Sequence, residues 1–196
     1  MNFNSKIRKI IFISFAFSLI NTLEAQTFEH KAINISIGLG ISMHYETYEN
    51  IEYTSTDGFY AQGEYVLGLT KWFELRPYAG FITTSESESD FINKELPRYY
   101  TKTTSFFIGP KARINAPIPY VAPYIEAGYG LSIGSFETYD VNKTLKKNGI
   151  VAHVPFSIGL MIGKNKNFDV GFTYLYQSNI NQMNGAFAIG YSIELD

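Results

Sequence analysis

The sequence predicts an all-β chain: eight strands closing into an antiparallel up-and-down transmembrane β-barrel. Three observations carry this prediction. First, large apolar residues alternate with small or polar ones along most of the chain. In Ile33–Tyr45 every odd position is apolar or aromatic, and every even position is Asn, Ser, Gly or His. Successive side chains on a strand point to opposite faces, whereas a helix would repeat its apolar residues three and four apart. Second, the face opposite the apolar one is rich in Gly, Ser, Ala and Asn. A soluble barrel would turn that face to water and would need Lys, Glu and Thr there. Glycine weakens a solvent-facing strand but fits the interior of a narrow barrel, with the apolar face turned to lipid. Third, short turns alternate with longer loops, as they do in outer-membrane barrels.

The elements follow in order. Strand one is Ile33–Tyr45, followed by an acidic loop from Glu46 to Asp57. Strand two, Gly58–Thr70, sets Phe59, Tyr65, Leu67 and Leu69 against Tyr60, Gln62, Glu64 and Gly68. A turn near Lys71 leads into strand three, Trp72–Thr83, with Phe73, Leu75, Pro77 and Phe81 opposite Glu74, Arg76, Tyr78 and Gly80. The loop Thr84–Lys102 carries Ser85-Glu86-Ser87-Glu88-Ser89-Asp90. That run lacks the glycine and ligand spacing of a calcium loop and reads as a solvated tip. Strand four, Thr103–Ile114, places Phe107, Gly109, Lys111 and Arg113 on the small face. After the turn Asn115–Pro119, strand five, Tyr120–Phe136, places Tyr124, Glu126, Gly128, Gly130 and Ser132 there. Glu137–Gly149 reads as a charged loop. Strand six, Ile150–Gly163, the turn Lys164–Asn167, strand seven, Phe168–Gln177, the loop Ser178–Gly185 and a final strand from Ala186 complete the chain. Each segment meets the roughly 9–11 residues a membrane strand needs. Pro77, Pro123 and Pro155 fall near expected strand starts; Pro110 falls mid-strand and calls for a bulge.

The first 25 residues read as an address. Lys6, Arg8 and Lys9 precede an apolar run, Ile10–Phe17, then Asn21-Thr22 and Ala25. This is the layout of a secretory signal peptide with cleavage after Ala25, and residues 26–196 form the barrel domain. The apolar run is too short to span a hydrocarbon core of about 30 Å. Loss of three basic residues and one acidic residue leaves 13 basic against 17 acidic, a charge of −4. The absence of cysteine excludes a disulfide scaffold and a thiolate metal site. The charge gives no basic face for nucleic acid. Aromatics at 16% suit a protein whose wet and dry zones meet at a boundary.

At this point the chain resembles the small outer-membrane protein β-barrel domains of Gram-negative bacteria. The carrying stretches are Arg76-Pro77-Tyr78-Ala79-Gly80-Phe81, Phe107-Ile108-Gly109-Pro110-Lys111-Ala112-Arg113 and Ala122-Pro123-Tyr124-Ile125-Glu126-Ala127-Gly128-Tyr129-Gly130. The resemblance implies a fold and an outer-membrane location, not an activity. Many such barrels end on an aromatic residue; this chain ends Leu195-Asp196.

Alternation gathers Glu64, Glu74, Arg76, Lys111, Arg113 and Glu126 in one interior. Mixed signs in a confined space favour ion pairs that plug the lumen, because an unpaired buried charge is costly. His44 and His153 face inward near the external rim, on the same sides as Ser42 and Ser157, and raise the rival of a lipid-modifying enzyme at the rim. They show no nucleophile, base and orienting acid at a recognisable spacing. Gly38-Leu39-Gly40 and Gly128-Tyr129-Gly130 open no helix and so are not phosphate loops. The expected protein is a non-enzymatic, monomeric outer-membrane barrel with a structural, surface-interaction or minor-permeation role. No catalytic or metal site, cofactor or nucleic acid is expected; outer-membrane lipid is the partner, and the loops leave room for a surface ligand. A soluble, lipocalin-like ligand-binding barrel is the third reading.

Overall fold

The computed structural model describes residues 30–44, 55–85, 100–140, 143–177, 180 and 182–195, and within them the side chains of 44, 55, 100, 139, 140 and 143–145 are left aside. It is a closed barrel of eight antiparallel strands. These are β1 (His30–His44), β2 (Ser55–Thr70), β3 (Phe73–Thr84), β4 (Tyr100–Asn115), β5 (Val121–Gly128 continued by Gly130–Asp140), β6 (Lys143–Ile162), β7 (Phe168–Tyr176) and β8 (Gln182–Leu195). Each strand pairs with its neighbours in sequence, and β8 returns to β1, so that Ile37 lies opposite both Ala61 and Ile189. Through the body of the barrel every strand is paired on both sides, which a barrel in hydrocarbon requires, and the Lys143–His153 part of β6 runs beyond its pairing with β7.

The two faces separate as the alternation predicts. Ile37, Phe106 and Ile189 are 59%, 67% and 62% exposed on the outside, whereas Asn34, Arg76 and Ser132 inside are at most 2% exposed. An outer surface of exposed Ile, Leu, Val and Phe is far larger than the apolar patches of soluble monomers, so the lipocalin-like reading falls. Outward-facing aromatics include Trp72, Tyr120, Phe168 and Tyr191 toward the end holding His30 and Leu195, and Phe59, Phe106, Tyr176 and Phe187 toward the other.

Prolines shape the ladders without shifting them. Tyr129 interrupts β5, yet the register to β4 and to β6 is the same on both sides of the gap. The Tyr129 amide donates to the Pro110 carbonyl at 3.1 Å, but Pro110 has no N–H to return the bond. Pro155 falls opposite Gly128 by the same register. Two prolines therefore flank one weak point in β5. The bulge expected at Pro110 is absent, since β3 and β4 pair in unbroken register through Pro77 and Pro110. The irregularity lies between Gly68 and Thr70, before the β2–β3 turn.

Several strands outrun the sequence expectation. Glu137–Gly149 is not a loop: β5 and β6 continue as a ribbon in which Asp140 lies opposite Lys143. One ion pair crosses it, with Lys146 Nζ 2.5 Å from Glu137 Oε1, and cross-strand ion pairs are compatible with a ladder. Phe136, 1% exposed, anchors the ribbon's base. β8 likewise starts at Gln182, inside the expected last loop. Residues 86–90 of the acidic run lie outside the described residues.

Candidate functional site: the packed lumen

The structure brings all six predicted charges together, and each is at least nine-tenths buried. Register explains how. Glu74 lies opposite Arg113, Arg113 opposite Glu126, and Arg76 opposite Lys111. The last pair is like-charged and would repel alone. Two carboxylates bridge it. Glu64 contacts Arg76 Nε at 2.5 Å and also the Lys111 ammonium; Glu126 contacts Lys111 Nζ and Arg113 Nε at 2.6 Å each. Arg76 Nη1 donates to Glu74 Oε2 at 3.0 Å.

One member escaped the sequence grouping. Asp169 accepts from Arg113 Nη1 at 2.7 Å and from Asn34 Nδ2 at 2.6 Å. Its place on the inward face of β7 follows from the alternation; its meeting with Arg113 follows only from closure. Four carboxylates thus face three cations. The Arg113 guanidinium also sits 3.7 Å from the centroid of the Tyr124 ring, a cation–π contact. Tyr124 reaches across because Gly159 and Gly171 face it: a Cβ at Gly159 would lie 2.5 Å from the Tyr124 ring.

Toward the opposite mouth the filling is neutral. Tyr60, Tyr78, Ile82, Phe107, Leu175 and Ala186 form an apolar cluster, with the Tyr60 and Phe107 rings stacked at 5.7 Å. His153 lies here, at the middle of β6, and not at the rim. β6 begins at Lys143 rather than Ile150, so His153 faces Gly130 in mid-barrel. Its Nε2 is 2.6 Å from Tyr78 Oη and its Nδ1 2.9 Å from Ser132 Oγ. Gln177 donates to Ser132 and Asn184 to Gln177, at 3.1 and 2.8 Å. Above them Ser42, Thr56, Thr101, Thr103 and Gln182 share hydrogen bonds, and Gln182 Nε2 donates to Thr138 Oγ1 at 2.7 Å. Ser42 and His153 therefore sit in two neighbouring neutral clusters, while Ser157 is bonded to Thr173 at 3.0 Å. The His44 side chain lies outside the described residues.

Little space remains. The cavity among Tyr60, Glu64, Lys111, Tyr124, Glu126 and Asp169 is about 20 Å³, room for about one water. Among the described residues no group of three or more His, Asp or Glu side chains is placed to hold a metal ion.

No family model matches the chain, and no curated protein sequence does. Solved structures do. Neisserial surface protein A aligns with a TM-score of 0.56 at 13% identity, over 85% of this chain and 100% of its own. Ail, the attachment invasion locus protein of Yersinia pestis, aligns at 0.49 and 16%, over 84% and 99%. The N-terminal β-barrel domain of Pseudomonas aeruginosa OprF aligns at 0.45 and 12%, over 82% and 97%. With its closed ladder and apolar exterior, this chain has the fold of the small eight-stranded outer-membrane β-barrels and the surface that such a membrane requires.

Proposed function

We propose that the protein is a non-conducting, monomeric outer-membrane barrel, exported with cleavage after Ala25, whose role is structural or lies in surface interaction through its loops. The observation that carries this reading is the filled lumen: an ion-paired layer, with room for about one water, backed by a layer of rings and neutral hydrogen bonds. Eight strands enclose an interior that side chains just fill. His30, Leu195 and the short turns, Lys71–Trp72 and residues 116–120 and 163–167, share one end, the arrangement of periplasmic turns; β1 leads to β2, and β3 to β4, at the other.

The enzyme reading has less support. His153 and Ser132 are in contact, but both are at most 1% exposed and sealed inside the barrel. A catalytic nucleophile needs a substrate beside it. Minor permeation would need the ion-paired layer to open.

Planar-bilayer recording of the purified barrel tests the proposal. The expected result is no steady current; a sustained open conductance would overturn it. An unchanged lipid A mass spectrum on replacing His44 and His153 is the expected result against the enzyme alternative.

A further inference from the structure

We propose that the protruding ribbon binds an extended acidic segment of a partner protein, taken up as an added strand along the open edge of β6. This rests on the reading above that the ribbon's end of the barrel faces outward. β6 begins at Lys143, but its pairing with β7 begins only where Val154 meets Tyr176. Over Lys143–His153 it is paired on one side, with β5. Among the described residues no strand pairs with its other side. The chain does not follow that edge after β7. It turns at once: the Ile180 amide donates to the Gln177 carbonyl at 3.4 Å, and the Gln182 amide to the Ile180 carbonyl at 2.6 Å. At ~3.3 Å per residue the edge runs for about 36 Å. The ribbon's other margin, on β4, is much shorter, since Thr103 already meets Thr84.

Along a strand the N–H and C=O groups point alternately to its two sides, so about half of these residues aim theirs at the open edge. Such an edge is a template for another strand, and backbone hydrogen bonds supply the affinity. Gly149, at φ 122°, departs from extended backbone. Below it Val151 and His153 are 1% exposed in the packed lumen. The docking stretch is therefore Lys143–Asn148.

Charge selects the occupant. Lys102, Lys143, Lys146 and Lys147 stand against Glu137 and Asp140, four cations to two anions, so the ribbon is +2 on a chain that is −2 in all. Lys146 and Lys147 are exposed and, as neighbours in a strand, lie on its two faces. A second copy joined at this edge would set lysines against lysines, and like charges directly opposite are destabilising. Lysine on an edge strand guards against that pairing. An acidic strand meets the opposite sign.

The test uses the mature barrel in lipid nanodiscs, titrated with three short capped peptides: alternating Glu and Val, alternating Lys and Val, and the Glu–Val peptide N-methylated at every amide. Amide chemical shifts and hydrogen exchange are read at Lys143–Asn148. The Glu–Val peptide should bind saturably and slow exchange at amides that exchange freely without it. The Lys–Val peptide should bind about tenfold more weakly. The N-methylated peptide keeps the charges but loses the ladder donors, and should also bind about tenfold more weakly. Lys146→Gln with Lys147→Gln should weaken the acidic peptide about tenfold. If that variant does not fold, judged by loss of the mobility difference between unheated and boiled samples, the N-methylated peptide on the unaltered barrel decides. Absence of saturable binding, equal binding of the N-methylated peptide, or unchanged affinity in the folded variant would overturn the proposal. So would protection of these amides without peptide: concentration-independent protection assigns the edge to the chain itself, and concentration-dependent protection to a second copy. Either failure leaves the closed lumen standing, because conductance is measured separately.

Discussion

The lumen is filled by two chemistries. Toward the end holding His30 and Leu195, Glu64, Glu74, Glu126 and Asp169 hold Arg76, Lys111 and Arg113 in a charged layer. Toward the opposite mouth, Tyr60, Phe107 and Ile82 stack beneath a web of Ser, Thr, Gln and Asn hydrogen bonds. Both halves exclude space, but they fail differently. A buried charge that loses its partner stays costly, because the remaining ion has no water to return to. A neutral hydroxyl that loses its partner leaves a smaller penalty. The charged half is therefore the brittle one, and the neutral half tolerates change.

Four substitutions break or sharpen that contrast, in descending effect. Glu126→Gln leaves Lys111 with Glu64 alone and Arg113 with Asp169 alone, and should lower unfolding free energy by about 3–5 kcal/mol, read by urea unfolding in detergent. Adding Lys111→Met should recover part of the loss, since coupled neighbours are non-additive by about 0.5–3 kcal/mol; strict additivity would argue against the bridging role of Glu126. In the neutral half, Tyr78→Phe leaves His153 Nε2 without its 2.6 Å partner and should cost about 1–3 kcal/mol by the same measurement. A loss matching that of Glu126→Gln would erase the distinction between the halves. Glu137→Gln, on the extended ribbon, removes a pair whose lysine is 56% exposed. The change should be about 0.2–1 kcal/mol and should shrink with added salt.

The ribbon shows where local reading misleads. Glu137, Asp140, Lys143, Lys146 and Lys147 lie close together, which suggests a solvated loop. The strands nevertheless continue, because Phe136 is buried beneath them and Gln182 of β8 donates to the Glu137 carbonyl at 2.7 Å. Those contacts are distant in sequence. The same shift moved His153 from an expected rim to the centre, where its two ring nitrogens are engaged.

By itself the sequence determined the fold class and the facing of the described strands, because the two-residue period is a property of a few adjacent residues. It also determined which charges point inward, Asp169 included. Only the closed structure decided which of those charges meet. Arg113 reaches Asp169, and Glu64 bridges Arg76 and Lys111, through a pairing register and a ring closure that no local stretch encodes.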